Sequence, residues 1–96
     1  MLVLVTYDVR VESAAGQKRL RRVAKRCLDY GVRVQNSVFE CVVDQAQYVM
    51  LKHAILQEID MKWDSVRFYR LGEQYQSKIE HYGAKPSVQV EAPLIY

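Results

Sequence analysis

Cysteine is scarce, at two in 96 residues, so Cys27 and Cys41 can close at most one bridge and a disulfide framework is excluded. Each sits inside an apolar pattern, which predicts two reduced core thiols and a cytoplasmic protein. No group of residues has structural-zinc spacing. The four glycines form no phosphate-cradling loop, and no Ser-His-Asp spacing is present. His53 and His81 stand far apart and without an obvious partner, as surface or packing residues. The apolar run at the N-terminus, Met1 to Val5, is far too short to span a bilayer. With no charged segment leading to a cleavage site, secretion is not expected. Internal repeats and low-complexity stretches are absent from the sequence.

What remains is the composition of a folded globule, 50% hydrophobic and 26% charged. The length fits one small domain with a single hydrophobic core. A chain of this size buries somewhat over ~60% of its unfolded surface, so a dimer interface would be a useful further source of stability. The net charge of +3 is only mildly basic, and its distribution carries more information than its size.

Leu2-Val3-Leu4-Val5-Thr6 is a continuous β-prone run followed by Tyr7 and Asp8. Such a strand is usually central or covered on both faces, which delivers Asp8 to the end of an inner strand. Ser13 can cap a helix running to Tyr30, with Leu20, Val23, Ala24, Cys27 and Leu28 at helical spacing and Gly31 as the stop. Val32 to Val43 reads as two strands reversing at Gln35-Asn36-Ser37. Asp44 caps a second helix ending near Asp60, with Tyr48, Leu51, Ile55 and Ile59 as its buried stripe. Ser65 to Leu71 alternates as a fourth strand, with Trp63 before it as a packing residue. The order β-α-β-β-α-β predicts an α+β, ferredoxin-like fold with strands one and three in the middle of an antiparallel sheet. This divides the chain into a domain over 1–71 and an extension over 72–96. The extension's alternating Ser87-Val88-Gln89-Val90-Glu91 would pair with a partner protomer's sheet.

Three features could carry chemistry. Asp8 is costly to bury unless paired, hydrated or bound to a cation. It is either a loop cap or half of a Mg²⁺ site completed by a second copy, since Mg²⁺ uses few carboxylates and keeps several waters. The helix carries Lys18, Arg19, Arg21, Arg22, Lys25 and Arg26, six of the 14 cations, against Asp29 alone among local acids. This is either a solvated face or a phosphate-binding one. Tyr7, Phe39, Phe68 and Tyr69 are either core residues or base-stacking surfaces.

Val3-Leu4-Val5-Thr6-Tyr7-Asp8-Val9, Lys18-Arg19-Leu20-Arg21-Arg22-Val23, Tyr30-Gly31, Val34-Gln35-Asn36-Ser37-Val38-Phe39-Glu40 and Val66-Arg67-Phe68-Tyr69-Arg70-Leu71 occur in this order. Together they resemble the CRISPR-associated endoribonuclease 2 family over residues 1–71. The resemblance implies a ferredoxin-like homodimer whose C-terminal segment crosses to the other subunit. It implies metal-dependent nuclease chemistry on single-stranded RNA or double-stranded DNA, and a place beside the CRISPR-associated integrase subunit in spacer acquisition. By the same resemblance Asp8 is the catalytic and metal residue, sharing one Mg²⁺ with its copy. Tyr7, Arg19, Arg21, Arg33, Ser37 and Phe39 are its nucleic-acid contacts.

A non-catalytic DNA-binding scaffold of the same family is the alternative. An RNA-recognition motif is disfavoured, because Ser37-Val38-Phe39-Glu40 lacks the basic-aromatic signature on a central strand. A ligand-binding regulatory domain would usually accompany an enzyme domain.

Overall fold

The computed structural model describes residues 1–84. Strand β1 (Leu2–Asp8) leads to helix α1 (Ala14–Leu28), then to the hairpin β2 (Gly31–Gln35) and β3 (Val38–Val42). Helix α2 (Gln45–Glu58) and strand β4 (Ser65–Gly72) follow, then a 3₁₀ turn over Gln76–Lys78. The four strands are antiparallel in the order β2-β3-β1-β4, so β1 and β3 are the inner strands. This is the expected ferredoxin-like arrangement. The alternating segment Ser87 to Glu91 lies outside the described residues.

Local chemistry explains where the elements begin. Ser13 Oγ accepts the Gly16 N–H at 3.0 Å and caps α1. Asp44 and Gln47 form a reciprocal capping box at α2, the Asp44 carboxylate accepting the Gln47 N–H and Gln47 Oε1 accepting the Asp44 N–H. Helix α1 ends two residues earlier than expected, and Gln35 belongs to β2, leaving Asn36 and Ser37 as the reversal. Helix α2 stops at Glu58, and Ile59, its C-cap, is only partly buried.

One face of the sheet is covered by both helices. Val3, Val5, Tyr7 and Val9 meet Val23, Ala24 and Cys27 of α1, Phe39 and Cys41 of β3, and Tyr48, Leu51 and Ile55 of α2 in a single core. Both cysteines are free and buried as expected, and burial pushes each thiol's pKa up to about 12. They are therefore protonated, unreactive packing groups at neutral pH. Trp63 corrects its expected packing role, because 47% of it is exposed. Its preceding turn leaves the helix before the chain reaches the sheet, so the indole is carried outside the core.

Two glycines are required by close approach. A Cβ at Gly31 would run into the Glu40 carbonyl and Cys41 Sγ, so tight β2–β3 pairing, beyond any helix-stop role, demands glycine there. A Cβ at Gly16 would overlap the Arg10 carbonyl, where the β1–α1 loop folds against the first turn of α1. Gly16→Ala is therefore expected to destabilise the protein by about 1–3 kcal/mol despite alanine's better helix propensity. Urea unfolding monitored by circular dichroism would show this, and an unchanged or raised midpoint would refute the close approach.

Candidate nucleic-acid interface

Alternation along β1 sends its side chains to two different surfaces. Val3, Val5 and Tyr7 enter the core, whereas Leu4, Thr6 and Asp8 lie on the open face, opposite Tyr69, Arg67 and Ser65 of β4. Asp8 is exposed at the end of the strand. Around that end the fold gathers pieces distant in sequence. The Tyr7 N–H donates to the Ser37 carbonyl at 3.1 Å, bringing in the β2–β3 turn, while Ser65 pairs with Asp8 from the other side.

On the helix side of this rim runs an open groove of about 500 Å³ between α1 and the β2–β3 turn. Its apolar floor includes Tyr7, Leu20, Ala24 and Leu28, and its rim carries Arg21, Lys25, Arg33, Asn36 and Ser37. Tyr7 is buried, and its hydroxyl has no hydrogen-bond partner of good geometry. Burial raises the pKa of this phenol, an effect the neighbouring Arg33 guanidinium partly offsets. The Tyr7 hydroxyl thus lies in the floor of a groove rimmed by three cations, with Arg33 as its charged neighbour.

Phe39 has no exposed surface. It lies against Tyr7 with ring centroids 6.1 Å apart, and the Arg33 guanidinium sits over its ring at 5.1 Å. The β2 irregularity between Arg33 and Gln35 re-aims the strand at this point. Phe39 is therefore packed beneath Tyr7 and Arg33 and is not among the groove-lining residues.

Arg19 also departs from expectation. Its Nε and Nη2 donate to Asp64 at 2.7 and 3.3 Å, so this fork is turned inward and engaged. The Asp64 carboxylate, itself without exposed surface, also accepts the Arg10 N–H at 3.0 Å and the Asp60 N–H at 2.9 Å. Burial alone would raise the Asp64 pKa, but the hydrogen bonds from Arg19, Asp60 and Arg10 and the charge on Arg19 hold it below the usual value. Arg26 is likewise paired, through Nε to Glu58 at 2.8 Å. The local acid count understated this neutralisation because both acids come from remote positions. Lys18, Arg21, Arg22 and Lys25 remain exposed and make no ion pair among the described residues.

The family model for the CRISPR associated protein Cas2 matches residues 1–79. The chain belongs to the Cas2 family. A CRISPR-associated endoribonuclease Cas2 from Nitratidesulfovibrio vulgaris is 59% identical over 95 residues, covering 99% of this chain and 93% of that one. A CRISPR-associated endonuclease Cas2 from Halalkalibacterium halodurans is 58% identical over 96 residues, with both chains fully covered. The crystal structure of Streptococcus pyogenes Cas2 at pH 6.5 superposes with a TM-score of 0.77 at 60% identity, over 86% of this chain and all of that one.

Within this Cas2 fold, the groove brings together Tyr7, Arg21, Arg33 and Ser37 of the expected contacts and adds Lys25 and Asn36. Asp8 belongs to the same end of the sheet but to its other face. Asp64 escaped sequence reasoning altogether, since Arg19 lies 45 residues away and no local pattern links them.

The Asp64 pKa gives a pH dependence with a definite sign. A carboxylate whose folded pKa is lowered stabilises the fold above its unfolded value near pH 3.9, and that stabilisation is lost as pH falls through the lower folded value. Urea midpoints measured from pH 6 down to pH 2 should fall in that window for the wild type. Asp64→Asn should be less stable at pH 6 and show a shallower acid dependence; a parallel curve would refute the assignment.

Proposed function

We propose that this Cas2-family chain is a metal-dependent endonuclease of RNA or DNA phosphodiesters, working in CRISPR spacer acquisition as a homodimer. The observation that carries this reading is the juxtaposition, at one end of the sheet, of an exposed inner-strand carboxylate and a groove rimmed by Arg21, Lys25 and Arg33. The nuclease names of the relatives from N. vulgaris and H. halodurans point the same way.

No group of three or more metal-ligating side chains occurs among the described residues. Asp8 offers a hard oxygen donor fit for one half of a Mg²⁺ site, because Mg²⁺ often takes one or two carboxylates together with waters and substrate phosphate. The second carboxylate would be Asp8 of another copy. The open sheet face supports such pairing, since Leu4, Val32, Val38 and Val42 on it are apolar and only half-buried among the described residues. The extension over 72–96 would add a pairing strand to this dimer. Held by the two Asp8 carboxylates, Mg²⁺ would supply Lewis-acid polarisation of the phosphodiester and a water of lowered pKa. Arg21, Lys25 and Arg33 hold the backbone phosphates and Ser37 adds a hydroxyl contact, while Tyr7 closes the groove floor. Arg19 and Phe39 position this wall from behind. Nothing in the described helices is long and apolar enough to cross a membrane, and the reading needs no membrane.

A scaffold reading has its own support. Lys18, Arg21, Arg22 and Lys25 form a stripe along α1 that could follow a nucleic-acid backbone whether or not a bond is cut. In that role the protein would hold DNA beside the CRISPR-associated integrase subunit.

Asp8→Ala separates the two. It should abolish Mg²⁺-dependent cleavage while leaving dimer mass and nucleic-acid affinity unchanged; cleavage at the wild-type rate would assign the cutting to another site or a contaminating nuclease, and salt-dependent DNA binding with no cleavage under any metal would favour the scaffold. Arg21→Ala and Arg33→Ala should each weaken binding and reduce the slope of log affinity against log salt by about 0.7–0.9. An unchanged slope would remove these residues from the interface.

A further inference from the structure

We propose that Trp63 is a stacking platform for an unpaired nucleobase, set beside the Asp8 end of β1 and flanked by the cations Arg10 and Lys62. The proposal rests on the nucleic-acid reading above and adds a substrate class to it, a strand presenting at least one unstacked base at this rim. Trp63 is 47% exposed, with the Arg10 guanidinium over the ring at 4.5 Å and the Lys62 ammonium over it at 5.3 Å, so a stacking base would exchange places with one of these cations and leave it free to meet a phosphate.

The placement follows from the chain. Arg10 lies two residues beyond Asp8, and Ser65, two residues beyond Trp63, is the cross-strand partner of Asp8. The platform is also held in place before any ligand arrives. The Trp63 and Asp64 N–H groups donate to the Asp60 carbonyl at 3.0 and 2.8 Å, closing the turn that carries the indole. Asp64 then ties this turn to the Arg10 backbone and to α1 through Arg19.

The charges select the occupant. Anything that covers this ring also approaches two positive groups, Lys62 and Arg10, the latter ion-paired through Nε to Glu12 at 3.1 Å, and an apolar protein surface would have to desolvate that charged cluster. A nucleotide offers a flat π face to the indole and a phosphate to the cations, satisfying both at once. A paired base in a duplex has its faces occupied by its neighbours, so the site suits a single strand, a frayed end or a flipped base.

Trp63 is the sole tryptophan, so its emission reports on this position alone. The full chain is titrated with an end-labelled single-stranded oligonucleotide, an abasic strand of equal length and a blunt duplex, following both label anisotropy and tryptophan emission. The single strand should quench emission with the same midpoint as its anisotropy change, whereas the abasic strand should bind without quenching. Trp63→Ala should weaken the single strand roughly 5- to 100-fold, the value expected for one stacked base, and leave the duplex and abasic strand within about twofold. Trp63→Phe should recover most of the loss, separating stacking from damage to the turn.

A bound single strand with unquenched emission would overturn the platform and leave the nucleic-acid reading standing. Equal losses on normal and abasic strands would overturn it as well. Loss of the dimer with unchanged oligonucleotide affinity would assign Trp63 to a protein interface instead. Failure of every nucleic acid to bind would remove both the platform and the reading beneath it.

Discussion

The buried Asp64 carboxylate can exist in this fold only because its oxygens are answered by donors from three separate segments, the Arg10 backbone, the Arg19 guanidinium and the Asp60 backbone. That requirement ties the loop after β1 to α1 and to the turn before β4. The end of β1, where Asp8 stands, is thereby held relative to the helix whose next turns carry Arg21 and Lys25. Gly16 serves the same junction by letting the Arg10 carbonyl approach α1. Trp63 precedes Asp64 directly, so the one constraint also sets the position of the exposed indole.

A second constraint is the two-residue period of β1. It places Tyr7 in the core beneath the cation-rimmed groove and Asp8 on the open face. A polynucleotide held by Arg21, Lys25 and Arg33 must therefore round the end of the strand to reach the carboxylate. Each chain brings one carboxylate, Asp8, to that end of the open face, with Glu40 further along it opposite Leu4, which is why the proposed metal chemistry requires pairing of two sheet faces. The dimer and the metal site are thus one hypothesis.

The fold was largely legible because its signals are local. The Leu2 to Thr6 run, the capping residues Ser13 and Asp44, and the helical spacing of Leu20, Val23, Ala24 and Cys27 each act within a few residues. Of the expected contacts, Tyr7, Arg21, Arg33 and Ser37 line one groove, a gathering of three segments that no local pattern could show. What the sequence left hidden shares a cause. Arg19 looked like a free cation because its acid arrives from the far side of the chain, and Phe39 looked like a ligand contact although both its neighbours, Tyr7 and Arg33, lie against it. Trp63 looked like core because tryptophan is mostly apolar, yet its turn lifts it clear of the sheet.

The order of elements, the inner position of the first strand and the stock of cations on the first helix were determined by the sequence alone, because periodicity, capping and composition need no distant partner. Which of those cations remain available was decided only by tertiary structure. Ion pairing depends on distances that the chain establishes when remote segments meet, and Asp64 and Glu58 remove Arg19 and Arg26 from the free set while Arg21 and Lys25 keep their charges open to solvent.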